Sequence, residues 1–225
     1  KVMERYPYFC VRPAREGENL VLRYNDQPLP VFPDDRTVTL GSEESRGHLI
    51  SFGCKDKTIF IDASHYIADG MGIDPLMKTL LYLYASKRYG IEGLATERIR
   101  MPDSPVFDGE YAYPFPDRVI EAEAIDIIPE EPKEVYGLER EAFDKDGFYA
   151  YHLHIPQRAM MAKASSSDGS PVSFLSVLLY RAFHRLDQNI DKPVVAHVQH
   201  QYRAALHIPM SHHSLVSYIP VVLAP

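Results

Sequence analysis

The stretch from Thr58 to Tyr89 changes its hydrophobic period once, and that change limits the folds open to the chain. Thr58-Ile59-Phe60-Ile61-Asp62-Ala63 is a short run rich in β-branched and aromatic residues, of strand type. Leu76, Leu80, Leu83 and Tyr84 then recur at helical spacing, and Lys87 and Arg88 fall in the last turn before Gly90, where cations suit the negative end of the helix dipole. The helix is expected to start after Gly72, with Asp74 as N-cap and Pro75 at the first helical position, where a missing N–H is harmless. Strand, loop and helix in direct succession call for a helix packed on a sheet, an α/β fold. Thr58–Ala63, the most apolar of the strand-like runs, is expected at the centre of that sheet.

Upstream, Tyr8–Val11, Leu20–Tyr24 and His48–Phe52 are further β-rich runs separated by Gly, Asn, Asp and Pro. The polar link Gly53-Cys54-Lys55-Asp56-Lys57 predicts an antiparallel hairpin between the last of these and Thr58–Ala63. Lys1 to Tyr6 reads as the last turn of a helix broken by Pro7, and Ser214 to Leu223 as a strand with nothing after it, so the natural protein is expected to be longer. Thr96 to Gly147 is the least regular part, with a Pro-rich stretch from Pro102 to Pro116 and an acidic region from Glu121 to Glu141, read as a solvated connection. Alternation returns in Tyr149–Ile155, a predicted strand ending at Pro156, and Gln157–Ala164 follows as a short helix. Ser170 and Pro171 form an N-cap and first-position pair opening Val172–Leu186, a helix apolar over much of its surface and therefore expected to be largely buried. Pro193–Gln201 is a predicted strand leading into Tyr202-Arg203.

The net charge of −7 argues against a nucleic-acid partner, which calls for a Lys and Arg excess on one face. Cys10 and Cys54, the only two cysteines, form neither a disulfide framework nor a metal clamp, which fits a reducing cytoplasm. No run approaches the ~18 apolar residues of a membrane span, and the start lacks a signal-peptide core, so a soluble cytoplasmic protein is expected. His197, His200, His207, His212 and His213 show no helical His-x-x-x-His spacing and straddle a strand and a loop, so no metal is expected.

The chemistry is carried by Ser64-His65-Tyr66-Ile67-Ala68-Asp69-Gly70-Met71-Gly72. His65 stands at the end of a strand expected to be buried, and imidazole is the side chain whose ordinary pKa suits a general base. Asp69 reads as a charge that holds the loop through a salt bridge, while Gly70 and Gly72 permit backbone angles or close approaches that a Cβ would forbid. His65, Asp69 and Gly70 match the His-x-x-x-Asp-Gly signature of a superfamily that the chain resembles. It comprises chloramphenicol acetyltransferase, peptide-synthetase condensation domains, plant-type acyltransferases and alcohol acetyltransferase-like proteins. Arg5-Tyr6-Pro7-Tyr8-Phe9 resembles the passage before the first strands in the bacterial alcohol acetyltransferase-like branch, and Val172–Leu186 followed by Val194 to Arg203 resembles the start of the family's second lobe.

The resemblance implies a mixed, largely antiparallel sheet with flanking helices, an N-terminal lobe over residues 1–164 and an incomplete second lobe over 165–225. A tunnel between lobes would admit a small-molecule acceptor from one side and acyl-CoA, or a phosphopantetheine thioester on a carrier protein, from the other. His65 would take the acceptor's proton without an acyl-enzyme intermediate, and no cofactor would be permanently bound. Asp69, Gly70 and Arg203 would support the motif, with Arg203 pairing to Asp69. Ser64, Tyr66 and Met71 are candidates for the pocket wall. Many members carry a second histidine where this chain has Ser64, and a non-catalytic binding relative is the alternative reading. Homo-oligomerisation stays open.

Overall fold

The computed structural model describes residues 1–90, 99–112, 131–137 and 152–224. Its order is α1 (Val2–Arg5), a 3₁₀ turn (Pro7–Phe9), β1 (Val11–Glu16), β2 (Asn19–Tyr24), β3 (Val31–Phe32), β4 (Ile50–Lys55), β5 (Thr58–Ala63) and α2 (Gly70–Tyr89). Then come α3 (Asp108–Tyr111), α4 (Gln157–Ser166), α5 (Pro171–Leu186), β6 (Val194–Gln201) and β7 (Val216–Leu223). The fold is α/β, with mixed and antiparallel sheets. None of its helices among the described residues is long and apolar enough to cross a membrane. The chain forms two compact units: Lys1–Val119 with Gln201–Val216, and Ile120–His200 with Ser217–Pro225. Residues 201–216, which the sequence assigns to the 165–225 segment, thus pack into the first unit.

In the first unit β1 and β2 form an antiparallel hairpin from Val11 opposite Tyr24 to Glu16 opposite Asn19. Gly17 begins its turn at a φ of 63°, a conformation only glycine adopts without Cβ strain. The strand expected over Tyr8–Val11 begins only at Val11, because Pro7 opens a 3₁₀ turn that the Cys10 N–H closes on the Pro7 carbonyl at 3.0 Å. The second sheet is ordered β3-β4-β5, with β3 parallel and β5 antiparallel to β4. The predicted hairpin is present, but its first strand runs Ile50–Lys55 and its turn shrinks to Asp56-Lys57, with Asp56 left-handed at a φ of 54°. Among the described residues β4 is the central strand and β5 lies at the edge, contrary to the expectation from hydrophobicity. Apolarity reports burial of faces, and β5 obtains its cover from packing rather than from a second strand neighbour.

The start of α2 also differs from the sequence reading. Asp69, not Asp74, is the N-cap, and its Oδ1 accepts the Gly72 N–H at 2.8 Å. Pro75 consequently sits inside the helix, where it cannot donate to the Met71 carbonyl one turn back. Its own carbonyl accepts the Tyr6 hydroxyl at 2.8 Å, tying α2 to the chain's first turn. Gly90, left-handed at a φ of 62°, ends the helix as expected. Tyr6, Phe9, Leu49, Ile50, Ile67, Ala68 and Leu76 form the core between α1, β4, the motif loop and α2.

A buried charge cluster lies beside that core. Glu110, on α3, receives both terminal nitrogens of Arg5, one at 2.9 Å, the Tyr8 hydroxyl at 2.8 Å and Arg100 at 3.0 Å. Burial raises its pKa, but these donors outweigh burial and hold it below the ordinary carboxylate range.

In the second unit Ser170 caps α5 as the sequence predicts, its Oγ accepting the Ser173 N–H at 3.0 Å. The expected burial of α5 is not found: Val177, Leu178, Leu179 and Leu186 are exposed. The helix is apolar around more of its circumference than its packing on α4 covers. Residues 152–156 are not in a strand, and 149–151 of the predicted Tyr149–Ile155 strand lie outside the described residues. β6 and β7 pair with one another.

Glu110→Ala leaves the fully buried Arg5 guanidinium without its counter-charge, so it should lower stability by about 3–5 kcal/mol. Urea denaturation read by circular dichroism measures this, and a loss below ~1 kcal/mol would show that the cluster does not hold the first unit together.

Candidate functional site

The motif loop is built as an apex joining β5 to α2. The Ser64 N–H continues the β4–β5 ladder by donating to the Leu49 carbonyl at 2.9 Å. The Ile67 N–H then returns to the Ser64 carbonyl at 3.0 Å, and the Tyr66 N–H reaches Ser64 Oγ at 3.3 Å. This turn puts His65 and Tyr66 on the outside, while Ile67 and Ala68 enter the core. His65 therefore stands in the turn just past β5, which among the described residues is an edge strand rather than a buried one. It is exposed, and among the described residues no hydrogen bond engages its ring.

Asp69 is in the opposite situation. Its Oδ1 accepts from Gly72 N at 2.8 Å and Arg203 Nη2 at 2.8 Å. Its Oδ2 accepts from Arg203 Nη1 at 2.7 Å, Leu215 N at 3.0 Å and Gln201 Nε2 at 3.2 Å. Burial raises the Asp69 pKa, but the Arg203 pair and the two backbone N–H groups more than reverse this and bring it to about 2. The expected partnership of Asp69 with Arg203 is thus present, in bidentate form. Arg203 uses its remaining capacity on the Ser211 carbonyl through Nε at 2.9 Å and on the His213 carbonyl through Nη2 at 2.6 Å. The segment 201–215 is in this way wrapped around one carboxylate.

Gly72 explains why the wrap can close: a Cβ at this position would lie 2.0 Å from the His212 carbonyl oxygen. Gly70 has no such constraint, since a Cβ there meets nothing within 4 Å and its φ is not left-handed. His212 is buried, stacked on Tyr8 at 4.2 Å, and both its N–H and its ring Nδ1 lie on the Glu110 carbonyl, at 2.8 and 2.6 Å. Facing a carbonyl acceptor, Nδ1 carries the proton and donates it. Burial pushes its pKa down, against the Glu110 carbonyl, to about 4. Among the described residues no three His, Cys, Asp or Glu side chains gather as metal ligands would.

A concavity of about 210 Å³ opens beside the apex. One wall is Ile61, Ala63 and His65; the other is Gly70, Ile73 and Met77, with Ala68 and Asp69 at the join. Ser64, Tyr66 and Met71, the sequence's candidates for a pocket wall, do not line it: Ser64 braces the turn, and Tyr66 and Met71 are 79% and 63% exposed. Part of the true lining carries a periodic signal, because 61 and 63 alternate along β5 while 70, 73 and 77 follow one helix stripe. Gln201, Leu215 and His212 carried no such signal, since their parts are played largely through backbone groups or across more than a hundred residues.

The unfolded chain protonates a histidine near pH ~6.5, whereas folded His212 does so only near about 4. Between these values the unfolded state holds the extra proton, so the stability owed to neutral His212 is complete above ~6.5 and falls as pH drops towards about 4. His212→Asn keeps an N–H donor for the Glu110 carbonyl and does not titrate. Its urea midpoint should lie below wild type at neutral pH, and the gap should narrow by pH ~4.5; a gap independent of pH would contradict the assignment.

No family model matches the chain, and no curated protein matches it. Among solved structures it is similar to the SgcC5 protein from Streptomyces globisporus, crystallised with (R)-(-)-1-(2-naphthyl)-1,2-ethanediol and sucrose, at 15% identity and a TM-score of 0.48. The alignment covers 98% of this chain and 56% of that one, so the chain spans little more than half of that protein's length.

Proposed function

We propose that the chain carries the general-base part of an acyltransferase related to chloramphenicol acetyltransferase and the condensation domains, moving an acyl group from acyl-CoA to a hydroxyl or amine acceptor. The observation behind this reading is the contrast between His65 and Asp69. Asp69 is saturated by five donors and locked as an anion, while His65, four residues earlier, is exposed and unengaged at the wall of a concavity. Only His65 is available to exchange a proton with a bound molecule.

In the proposed reaction a ring nitrogen of neutral His65 accepts the proton of the acceptor O–H or N–H as the acceptor's lone pair attacks the thioester carbonyl carbon. The tetrahedral intermediate collapses by breaking its C–S bond, and the departing thiolate takes the proton back from the imidazolium. No acyl-enzyme forms, and the protein contributes mainly by holding the base at a defined place. Asp69 and Arg203 act as positioning residues, with no contact to the reacting atoms. Cys10 and Cys54 are both free thiols, which suits the reducing cytoplasm where acyl-CoA is made.

His65→Ala should lower kcat/KM for acyl transfer from acyl-CoA by ~10²–10⁴-fold while leaving the thermal midpoint unchanged, since the ring packs on nothing in the core. Thiol release followed with a disulfide reagent measures the rate, and equal turnover by wild type and variant would remove His65 from the reaction.

A further inference from the structure

The concavity beside His65 has a direction. From the apex, Ala63 and Ile61 recede along β5 and Ile73 and Met77 recede along α2, so two apolar rows diverge from the base. Gly70 to Met77 spans about 10 Å of helix rise, and Ile61 to Ala63, the end of β5, about 7 Å of strand. Among the described residues the lining beyond His65 and Asp69 carries no charged side chain, and Asp69 is already neutralised by Arg203, so the slot offers little to the phosphates of CoA or to an ionised substrate group. Its volume of about 210 Å³ lies below the ~300–1,000 Å³ of sites that enclose a whole drug-sized ligand. It therefore suits one narrow, apolar part of a substrate whose reacting end sits at the apex.

We propose that this slot binds a short unbranched alkyl chain of the substrate, with its reactive carbonyl or hydroxyl at His65 and its length limited by Met77. Gly70 is the smallest lining residue next to the base and leaves room there for the reacting group, whereas Ile73 and Met77 supply branched and flexible apolar surface for the chain. Met77 is 40% exposed and outside the core cluster, so its replacement changes the end of the slot without removing a core residue. The inference rests on the acyltransferase reading only for which molecule brings the chain, the acyl donor or the alcohol acceptor.

The test uses the whole chain, with methyl-¹³C labels on methionine and isoleucine, and two probe series. One runs from acetyl-CoA through butyryl-CoA to octanoyl-CoA with ethanol as acceptor; the other runs from ethanol through butanol to octanol with acetyl-CoA as donor. The Met77 and Ile73 methyl resonances should shift on adding the four-carbon member of one series and much less on adding its eight-carbon member. Met77→Ala should raise the eight-carbon to four-carbon kcat/KM ratio about tenfold in that same series, and Ile73→Phe should abolish the methyl shift at Met77. Methyl shifts without thiol release would overturn the acyltransferase reading and leave the slot standing. Thiol release with unmoved methyls, or with a chain-length ratio unaltered in Met77→Ala, would overturn the slot.

Discussion

One carboxylate, Asp69, organises the first unit. A buried charge without partners would be driven to its neutral form, so Asp69 can stay ionised in the interior only if donors are brought to it. They come from four places: the first turn of α2, the guanidinium of Arg203, the Gln201 side-chain amide and the Leu215 backbone. Satisfying one anion thus determines where α2 starts, where the segment 201–215 lies and, through the intervening turn, where His65 is held. Arg203 is suited to the task because its planar fork matches both carboxylate oxygens while Nε remains free for the Ser211 carbonyl.

The second buried anion supports the first through backbone rather than charge. Glu110 gathers Arg5, Arg100 and Tyr8 with its carboxylate, and its carbonyl receives both N–H groups of His212. The His212 carbonyl in turn lies where a Cβ on residue 72 would be. A chain of contacts therefore runs from the first turn of the protein through α3 to Gly72 in the first turn of α2. Each link is short and directional, so a loosened donor at one end has a path by which to disturb the apex. The arrangement separates structural ionisation from chemistry: the two acids are held by three arginines and by further donors, and His65 is left uncommitted beside an apolar slot.

Much of this was legible in the chain itself. The change from strand to helix period across residues 58–89, the hairpin before it, the Ser170 cap and the left-handed Gly90 are local matters of side-chain branching, missing donors and backbone freedom, and they appear where local rules put them. Local rules failed where two candidates competed. Asp74-Pro75 is a good helix start in isolation, but Asp69 caps the helix because the same carboxylate also meets Arg203. Tyr8–Val11 is rich in strand-type residues, yet Pro7 tightens its first residues into a 3₁₀ turn. The apolarity of Thr58–Ala63 and of α5 overstated their burial, because hydrophobicity records a preference and not the presence of a covering neighbour.

By itself, then, the sequence determined the residue types at the apex: a histidine, an acid four residues later and glycines at the entry to a helix, because those properties are carried by single side chains and short spacings. Only the tertiary structure decided that Asp69 is saturated and His65 is not, that Gly72 makes room for the His212 carbonyl, and that Ile61, Ala63, Ile73 and Met77 rather than Tyr66 and Met71 line the cavity. Those are properties of distance between segments up to 146 residues apart, as with Leu215 and Asp69. Such distances are set by the shared need to bury apolar surface and pair every buried charge; a local period can mark one face, as 61 and 63 or 73 and 77 do, but not what stands opposite it.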